Sequence, residues 1–369
     1  MAERTGIEWT DATVNFWWGC TKVGPGCDHC YAETWAGRFG GGLWGVGAPR
    51  RKIKGAAAML NRLDNDYAWW AADAEIGGYH PNSRRRVFIQ SMSDLFDTEV
   101  PIEWFAEAWG KIVQCNRLDI QIVTKRISVV EKRLAAIGVT TWPKHAGLLV
   151  TVCNQDEAGR DIPRLLALKA KLGIPWVGVS AEPLLGPIDF GAWLCGSYEC
   201  ATECGWRSGS APDREVCHAC GLTSTSFGEF CACGAQDFGH ICPNCESNAV
   251  QHHPDTTFLD WVIVGGESGP NARPMHPDWA RSIRDQCATA GTAFFFKQWG
   301  EWAPSETARP PKGKLAVFCR DGQLLRGQAM ATGRIDDAGA EIIAQFGKAR
   351  AGRLLDGVTH DAMPEVRHG

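Results

Sequence analysis

The sequence predicts an α/β protein: a parallel βα array, interrupted once by a cysteine-rich module and followed by a small C-terminal extension. Three observations carry this reading. Short β-branched and aromatic runs without polar alternation recur along the chain, as in strands buried on both faces of a parallel sheet. Helix-like segments bounded by Pro and Gly separate them. Between residues 195 and 254 both patterns stop, and Cys, Gly, Ser and acidic residues take over.

In chain order the expected strands are Val87-Phe88-Ile89-Gln90, Ile120-Gln121-Ile122-Val123, Leu148-Leu149-Val150-Thr151-Val152, Trp176-Val177-Gly178-Val179, Trp261-Val262-Ile263-Val264 and Ala293-Phe294-Phe295-Phe296. Helices are expected over 101–115, 127–137, 157–172 and 277–290, with Pro101 and Pro277 in first turns and Gly138 and Gly173 at ends. Each strand runs into a polar tip. In order these are Ser91-Met92-Ser93-Asp94, Thr124-Lys125-Arg126, Asn154-Gln155-Asp156, Ser180-Ala181-Glu182-Pro183, Gly265-Gly266-Glu267-Ser268 and Lys297-Gln298-Trp299. In a parallel array the carboxyl ends open on one side, so the tips should ring one pocket. Ser and Asp also cap helices, but a succession of such tips favours a functional rim. In the extension, 303–369, Lys314–Arg320 and Gln323–Arg326 are expected to form a hairpin and Ala340–Phe346 a helix.

At 369 residues, with 44% hydrophobic and 22% charged, the chain is long enough for more than one globular domain. No apolar run approaches the roughly 18 residues of a membrane span. Glu3, Arg4, Glu8 and Asp11 argue against a signal peptide, so a cytoplasmic protein without a membrane partner is expected. The net charge of −4 hides two basic clusters, Arg50-Arg51-Lys52 with Lys54 and Arg84-Arg85-Arg86. Either could meet a phosphate backbone or form a solvated rim. Most of the 17 tryptophans are expected in the core or a pocket wall. The 16 cysteines occur largely as close pairs, which in a reducing compartment points to metal ligation rather than disulfides.

Cys20, Cys27 and Cys30 share one loop, Trp17-Trp18-Gly19-Cys20-Thr21-Lys22-Val23-Gly24-Pro25-Gly26-Cys27-Asp28-His29-Cys30-Tyr31. Three thiolates suit an iron–sulfur cluster with one iron open to a small molecule, whereas four suit an electron carrier. Gly24, Pro25 and Gly26 would let the loop fold back. A zinc ion closed by His29 or Cys153 is the competing reading. In the inserted module, Cys200 and Cys204 with Cys217 and Cys220 give one four-sulfur site, and Cys231 and Cys233 with Cys242 and Cys245 a second. Closed shells of this kind are structural, so one or two Zn2+ ions should fold the module. Cys195 is left over, and His218, His240, His252 or His253 could replace a sulfur. Arg207 and Arg214 face seven acidic residues in the module, Glu199, Glu203, Asp213, Glu215, Glu229, Asp237 and Glu246. That balance disfavours gripping phosphate and favours a protein partner or a lid at least as well.

Several motifs carry a family resemblance. They are Glu8-Trp9-Thr10-Asp11, the cysteine loop, Ser91-Met92-Ser93-Asp94-Leu95-Phe96, Thr124-Lys125-Arg126, Ser180–Pro187, Gly265-Gly266-Glu267-Ser268-Gly269 and Phe296-Lys297-Gln298-Trp299-Gly300. Together they resemble the radical S-adenosylmethionine superfamily, and most closely its phage and prophage family defined by a three-cysteine motif. The likeness covers roughly 5–194 and 255–302. It implies a partial (βα)6-type parallel barrel over 1–194 and 255–302, with a zinc-ribbon-like module at 195–254 and the extension at 303–369. It further implies a [4Fe-4S] cluster on Cys20, Cys27 and Cys30, S-adenosyl-L-methionine on the fourth iron, a reducing electron donor, and release of a 5′-deoxyadenosyl radical. Ser91, Ser93, Asp94, Thr124 and Ser180 become candidates for the cofactor's polar groups. Lys125, Glu182, Glu267 and Lys297 become candidates for binding or protonating substrate, against the alternative of an internal Lys–Glu salt bridge.

The chain also departs from the superfamily. Six residues separate Cys20 from Cys27 where three are usual, and His29 stands where an aromatic commonly lies beside the adenine. Gly265-Gly266-Glu267 follows a late strand rather than an early one, so the superfamily's amino-group-binding role is not carried over. The phage setting favours a nucleobase, nucleotide or nucleic-acid substrate, with peptides and small molecules open. Two other classes remain: a non-catalytic zinc-bound nucleic-acid or protein adaptor, and a hydrolase using Asp94, Glu182 and Glu267 around a divalent ion. No HxE or DxD spacing supports the last.

Overall fold

The computed structural model describes residues 1–38, 41–68, 70, 84–194, 257–307, 315–319, 323–326 and 340–364, and the backbone of six short strands within 198–252. Its centre is a parallel sheet of β1 (Ala12–Val14), β2 (Arg86–Ile89), β3 (Asp119–Thr124), β4 (Ala146–Thr151), β5 (Val177–Ala181), β6 (Trp261–Gly265) and β7 (Ala293–Gln298). The seven strands lie side by side in chain order, the half-barrel form of a partial (βα) barrel. Six of them are the expected runs. The unexpected one, β1, is an edge strand of only three residues, too short to give a pattern.

Helices α1 (Tyr31–Arg38) and α2 (Ala56–Asn65) lie between β1 and β2, and α3 (Ile102–Gln114), α4 (Val130–Ala135), α5 (Gln155–Leu172) and α6 (Pro277–Ala290) follow β2, β3, β4 and β6. The first two lie outside the expected set, and the segment expected at 127–137 divides into a 3-10 turn, Ile127–Val129, and α4. Gly173 and Gly291 end α5 and α6 with φ of 67° and 68°, left-handed geometry that glycine adopts without steric cost.

Strand period two divides the sheet into two faces. Val87, Ile120, Val150, Val179 and Val264 share the main core with Phe105, Trp109, Leu165 and Ile283 of the helices. The opposite, concave face carries Phe88, Leu149, Ile263 and Phe295, packed with Trp9, Trp176 and Trp261. The indoles meet edge-on, Trp9–Trp261 at 6.0 Å and Trp176–Trp261 at 5.9 Å, and fill the amino end of the half-barrel. Gly147 leaves the space that the Trp176 ring fills. Two residues further along, the same face turns polar: Thr151, Ser180 and Lys297. The mouth at the carboxyl ends is therefore chemically distinct from an apolar floor.

The cysteine-rich module enters after β5 and returns before β6. Its described backbone forms two three-stranded antiparallel sheets, with Cys200 and Cys217 each at a strand end. Short strands thus occur where the sequence pattern gave neither strand nor helix. Cys195, Cys204, Cys220, Cys231, Cys233, Cys242 and Cys245 lie outside the described residues, and so does the expected zinc pairing.

In the extension, β8 (Trp302–Pro304), β9 (Leu315–Phe318), β10 (Leu324–Arg326) and β11 (Glu341–Gln345) form an antiparallel sheet in the order β8-β11-β9-β10. The hairpin is as expected. The helix expected at 340–346 is instead β11, whose Ile343 and Ala344 are fully buried between neighbours. Sheet pairing outweighs local propensity there.

Candidate functional site

Residues 15–17, which follow β1, are tied to the tip of β2. Asn15 donates to Ser91 Oγ at 3.0 Å and accepts from Met92 N at 2.8 Å. Phe16 N donates to Gln90 Oε1 at 2.7 Å, and Ser93 Oγ donates to Trp17 O at 3.1 Å. This anchoring delivers the cysteine loop to the mouth. Cys27 closes a 3-10 turn over Pro25–Cys27, and Cys30 precedes α1. Gly24 is extended, at φ −169°, so no left-handed turn is needed there. Gly26 matters for a different reason: a Cβ there would collide with Cys153 Sγ, just past the end of β4. Gly26 thus serves close approach to Cys153 rather than slack.

The cysteines converge on the tip of β3, Thr124-Lys125-Arg126. Arg126 Nη2 lies 3.9 Å from Cys20 Sγ and donates to Thr21 O at 2.9 Å. Burial lowers the Lys125 pKa, but Cys27, Cys153, Cys30 and Asp94 together hold it above the ordinary lysine value. Burial, reinforced by Asp94, pushes Cys20 up to about 12, and burial pushes Cys153 up to about 12. Metal binding at Cys20 would therefore displace a proton. Among the described residues no three His, Cys, Asp or Glu side chains stand close enough to hold one ion. Cluster ligands each bind a separate iron and do not require that proximity.

The remaining candidates fall into three groups. Asp94 is the organising carboxylate of the first. It accepts from Phe96 N, Thr124 Oγ1 and Lys125 N, each at 2.9 Å, and burial raises its pKa. Ser180 is buried on the concave face of β5. The second group is an ion pair across the mouth: Lys297 Nζ lies 2.6 and 2.8 Å from the Glu182 carboxylate oxygens, with Gln298 Nε2 at 3.3 Å. The internal salt bridge weighed from sequence is thus present. Tyr31, whose hydroxyl donates to Ser91 O, lies in the field of Cys30 and Glu182.

The third group surrounds Glu267, whose side chain is 5% exposed. It accepts from Arg273 N at 2.7 Å, Arg273 Nε at 3.0 Å and Arg273 Nη2 at 2.6 Å, and pairs with His29 Nδ1 at 3.0 Å. Burial opposes ionisation, but the Arg273 and His29 bonds hold its carboxyl below the usual range. Arg273 also reaches Asp28 and Pro25 O. Arg126 and Arg273 are the residues at the site that sequence reasoning did not single out. Arg126 stood inside a quoted motif, whereas Arg273 is a lone arginine in a loop and offered no pattern.

One polar tip proves to be a cap: Asn154 Oδ1 accepts from Glu157 N at 2.9 Å at the start of α5. Of the basic clusters, Arg50 is buried against Asp97 at 2.7 Å, and Arg86 pairs with Asp11 at 2.8 Å. Arg84 and Arg85 precede β2 and Arg86 opens it, so this cluster lies at the amino end, away from the mouth. Arg51, Lys52 and Lys54 are exposed. Arg51 stacks over Trp18, in the short strand Arg51–Lys52 that pairs with Trp17–Trp18 beside the cysteine loop.

Fold and site define an α/β half-barrel protein with a three-cysteine loop at its mouth. A family model described as "Protein of unknown function (DUF5131)" matches residues 4–364, and the chain belongs to that family. A search of curated proteins finds no match. Among solved structures, one that is similar is a doubly substituted spore photoproduct lyase with bound AdoMet and dinucleoside spore photoproduct, at 18% identity and TM-score 0.27. The match covers 46% of this chain and 45%, less than half, of that one. No helix among the described residues is long and apolar enough to cross a membrane.

Proposed function

We propose that this chain is a radical S-adenosylmethionine enzyme that holds a [4Fe-4S] cluster on Cys20, Cys27 and Cys30 and modifies a nucleobase or nucleic acid. The observation that carries this reading is the gathering of the three loop cysteines around the β3 tip, at the polar mouth. Such a cluster, once reduced by an external electron donor, would supply the electron that cleaves S-adenosylmethionine to methionine and a 5′-deoxyadenosyl radical.

The chain's own residues have definable tasks in this scheme. Lys125 and Arg126 set positive charge beside the sulfur ligands, which offsets the cost of an anionic group in a partly buried site. Asp94 fixes the backbone and hydroxyl of that tip. Ser91, Ser93, Thr124 and Ser180 supply polar atoms on the cofactor side. The indole floor excludes water from below. Glu182 and Lys297 present a paired carboxylate and ammonium at the mouth, to which a polar substrate group can bond. Arg51 stacked on Trp18, with Lys54 nearby, offers a phosphate-and-base surface beside the loop, and the likeness to the phage family points to the same substrate class.

The test is reductive turnover under anaerobic conditions. Reconstituted protein with dithionite and S-adenosylmethionine is expected to form 5′-deoxyadenosine, and Cys27→Ala to abolish it. A fully loaded protein that forms none contradicts the reading. Nucleic-acid affinity that falls steeply with salt is expected, and a flat, weak response removes the polynucleotide substrate. Cys153 Sγ lies close against Gly26 of the loop, and the alternative reading is a non-catalytic zinc-bound nucleic-acid or protein adaptor. That protein would contain zinc, no iron and no brown colour.

A further inference from the structure

Among the described residues, Arg273 is the side chain with most hydrogen bonds to the cysteine loop that is neither in the loop nor on the tips of β2 and β3. Its Nη1 donates to Asp28 Oδ2 at 2.9 Å and its Nη2 to Pro25 O at 2.8 Å, so it grips the loop on either side of Cys27. The same guanidinium is locked by Glu267 through Nε and Nη2. Glu267 in turn binds His29, between Cys27 and Cys30, at 3.0 Å. Pro25, Asp28 and His29, three of the six residues from Pro25 to Cys30, are therefore held by one buried carboxylate and one arginine.

The support for this pair lies on the far side of the sheet. Glu267 follows β6, next to one edge strand of the sheet, whereas the loop follows β1, the strand at the other edge. The backbone at Glu267 is fixed by close packing: a Cβ on Gly266 would strike Trp299 O, and one on Gly300 would strike Glu267 O. Glu301 N donates to Glu267 O at 2.9 Å. A rigid β6–β7 corner thus presents a charged fork to the loop. The chain between them includes the whole inserted module.

We infer that Arg273 and Glu267 form a latch across the mouth that positions the loop and retains its cluster, as positioning residues rather than substrate ligands. This rests on the cluster reading above. Charge-assisted bonds of this kind are among the stronger ones, and losing one is a change of about tenfold or more in an equilibrium.

The experiment compares full-length wild type with Arg273→Ala, Arg273→Lys and Glu267→Gln after anaerobic reconstitution. Iron release to a chelator, the EPR spectrum of the reduced protein and thermal unfolding are measured on each. Arg273→Ala and Glu267→Gln are expected to release iron roughly tenfold faster and to show an altered EPR signal. Arg273→Lys should recover part of the retention, and hydrogen exchange of residues 24–30 should rise in metal-free Arg273→Ala. If the variants fold, retain iron at the wild-type rate and keep its EPR signal, the latch is overturned while the cluster stands. Variants that fail to fold while Arg273→Lys folds without slowing iron release overturn it as well. If wild type itself takes up no iron, the cluster reading falls first.

Discussion

At the scale of single residues, the mouth is built by side chains that satisfy one another. Arg50 shows how costly such a group is to disturb. Its side chain is 1% exposed, bonds Asp97 at 2.7 Å and Thr21 Oγ1 at 2.7 Å, and donates to Ala48 O at 2.8 Å. Removing one partner of a buried pair leaves the other uncompensated, at about 3–5 kcal/mol. Arg50→Ala should therefore lower stability by about that amount in denaturant unfolding, and a change below about 1 kcal/mol would contradict the assignment. Gly266 and Gly300 are constrained in another way, because each faces a backbone carbonyl across the β6–β7 corner. Gly266→Ala should cost about 1–3 kcal/mol through overpacking, read as a lower Tm. Neither effect was legible beforehand. Arg50 looked like part of a basic patch, because a run of like charges carries no information about which member is buried.

At the scale of elements, legibility followed length and pattern. The longer strands announced themselves because buried parallel strands need β-branched or aromatic residues on both faces. Val87–Ile89 and Phe294–Phe296 are of this kind. Ala12–Val14 did not, since three residues contain barely one period. Glu341–Gln345 was read as a helix because its partners, β8 and β9, lie tens of residues away. The polar tips were found by position, but their division of labour was not. Asn154 is a cap, Asp94 an organiser, and Glu182 and Lys297 a pair. The cap gives a direct check: Asn154→Ala should destabilise the protein by about 1 kcal/mol, measured by chemical denaturation. It also leaves Glu157 N without its acceptor, while Glu157 Oε2 still receives Cys153 N at 2.8 Å.

At the scale of the whole molecule, both edges of the sheet are covered by other segments of the chain. Ala2 bridges Thr13 on β1, and Asp361 bridges Phe295 on β7. Covering edges in this way removes a template for aggregation. The C-terminal cover is secured by buried donors: Trp299 Nε1 to Leu354 O at 2.8 Å, and Trp261 Nε1 to Ala362 O at 2.9 Å. Deleting residues from 352 onward leaves both indoles unsatisfied, at about 1–3 kcal/mol each. A marked loss of Tm and of solubility is expected. Asp356 fastens the same segment to α6 through Arg281 at 2.9 Å and Arg284 at 2.6 Å. Burial opposes its ionisation, but the two arginines hold its carboxyl below the ordinary 3.8. A depressed carboxyl stabilises the fold above its unfolded value and loses that contribution as pH falls through the folded one. The Tm gap between wild type and Asp356→Asn should therefore be full near neutral pH and shrink as pH drops below about 4.

The central claim concerns the three cysteines at the mouth, and elemental analysis of anaerobically purified protein tests it most directly. Wild type is expected to hold about four iron and four sulfide per chain, in addition to any zinc in the inserted module, and Cys20→Ala, Cys27→Ala and Cys30→Ala to lose the iron and sulfide. Zinc alone in wild type, with one zinc fewer in each of those variants, would contradict it.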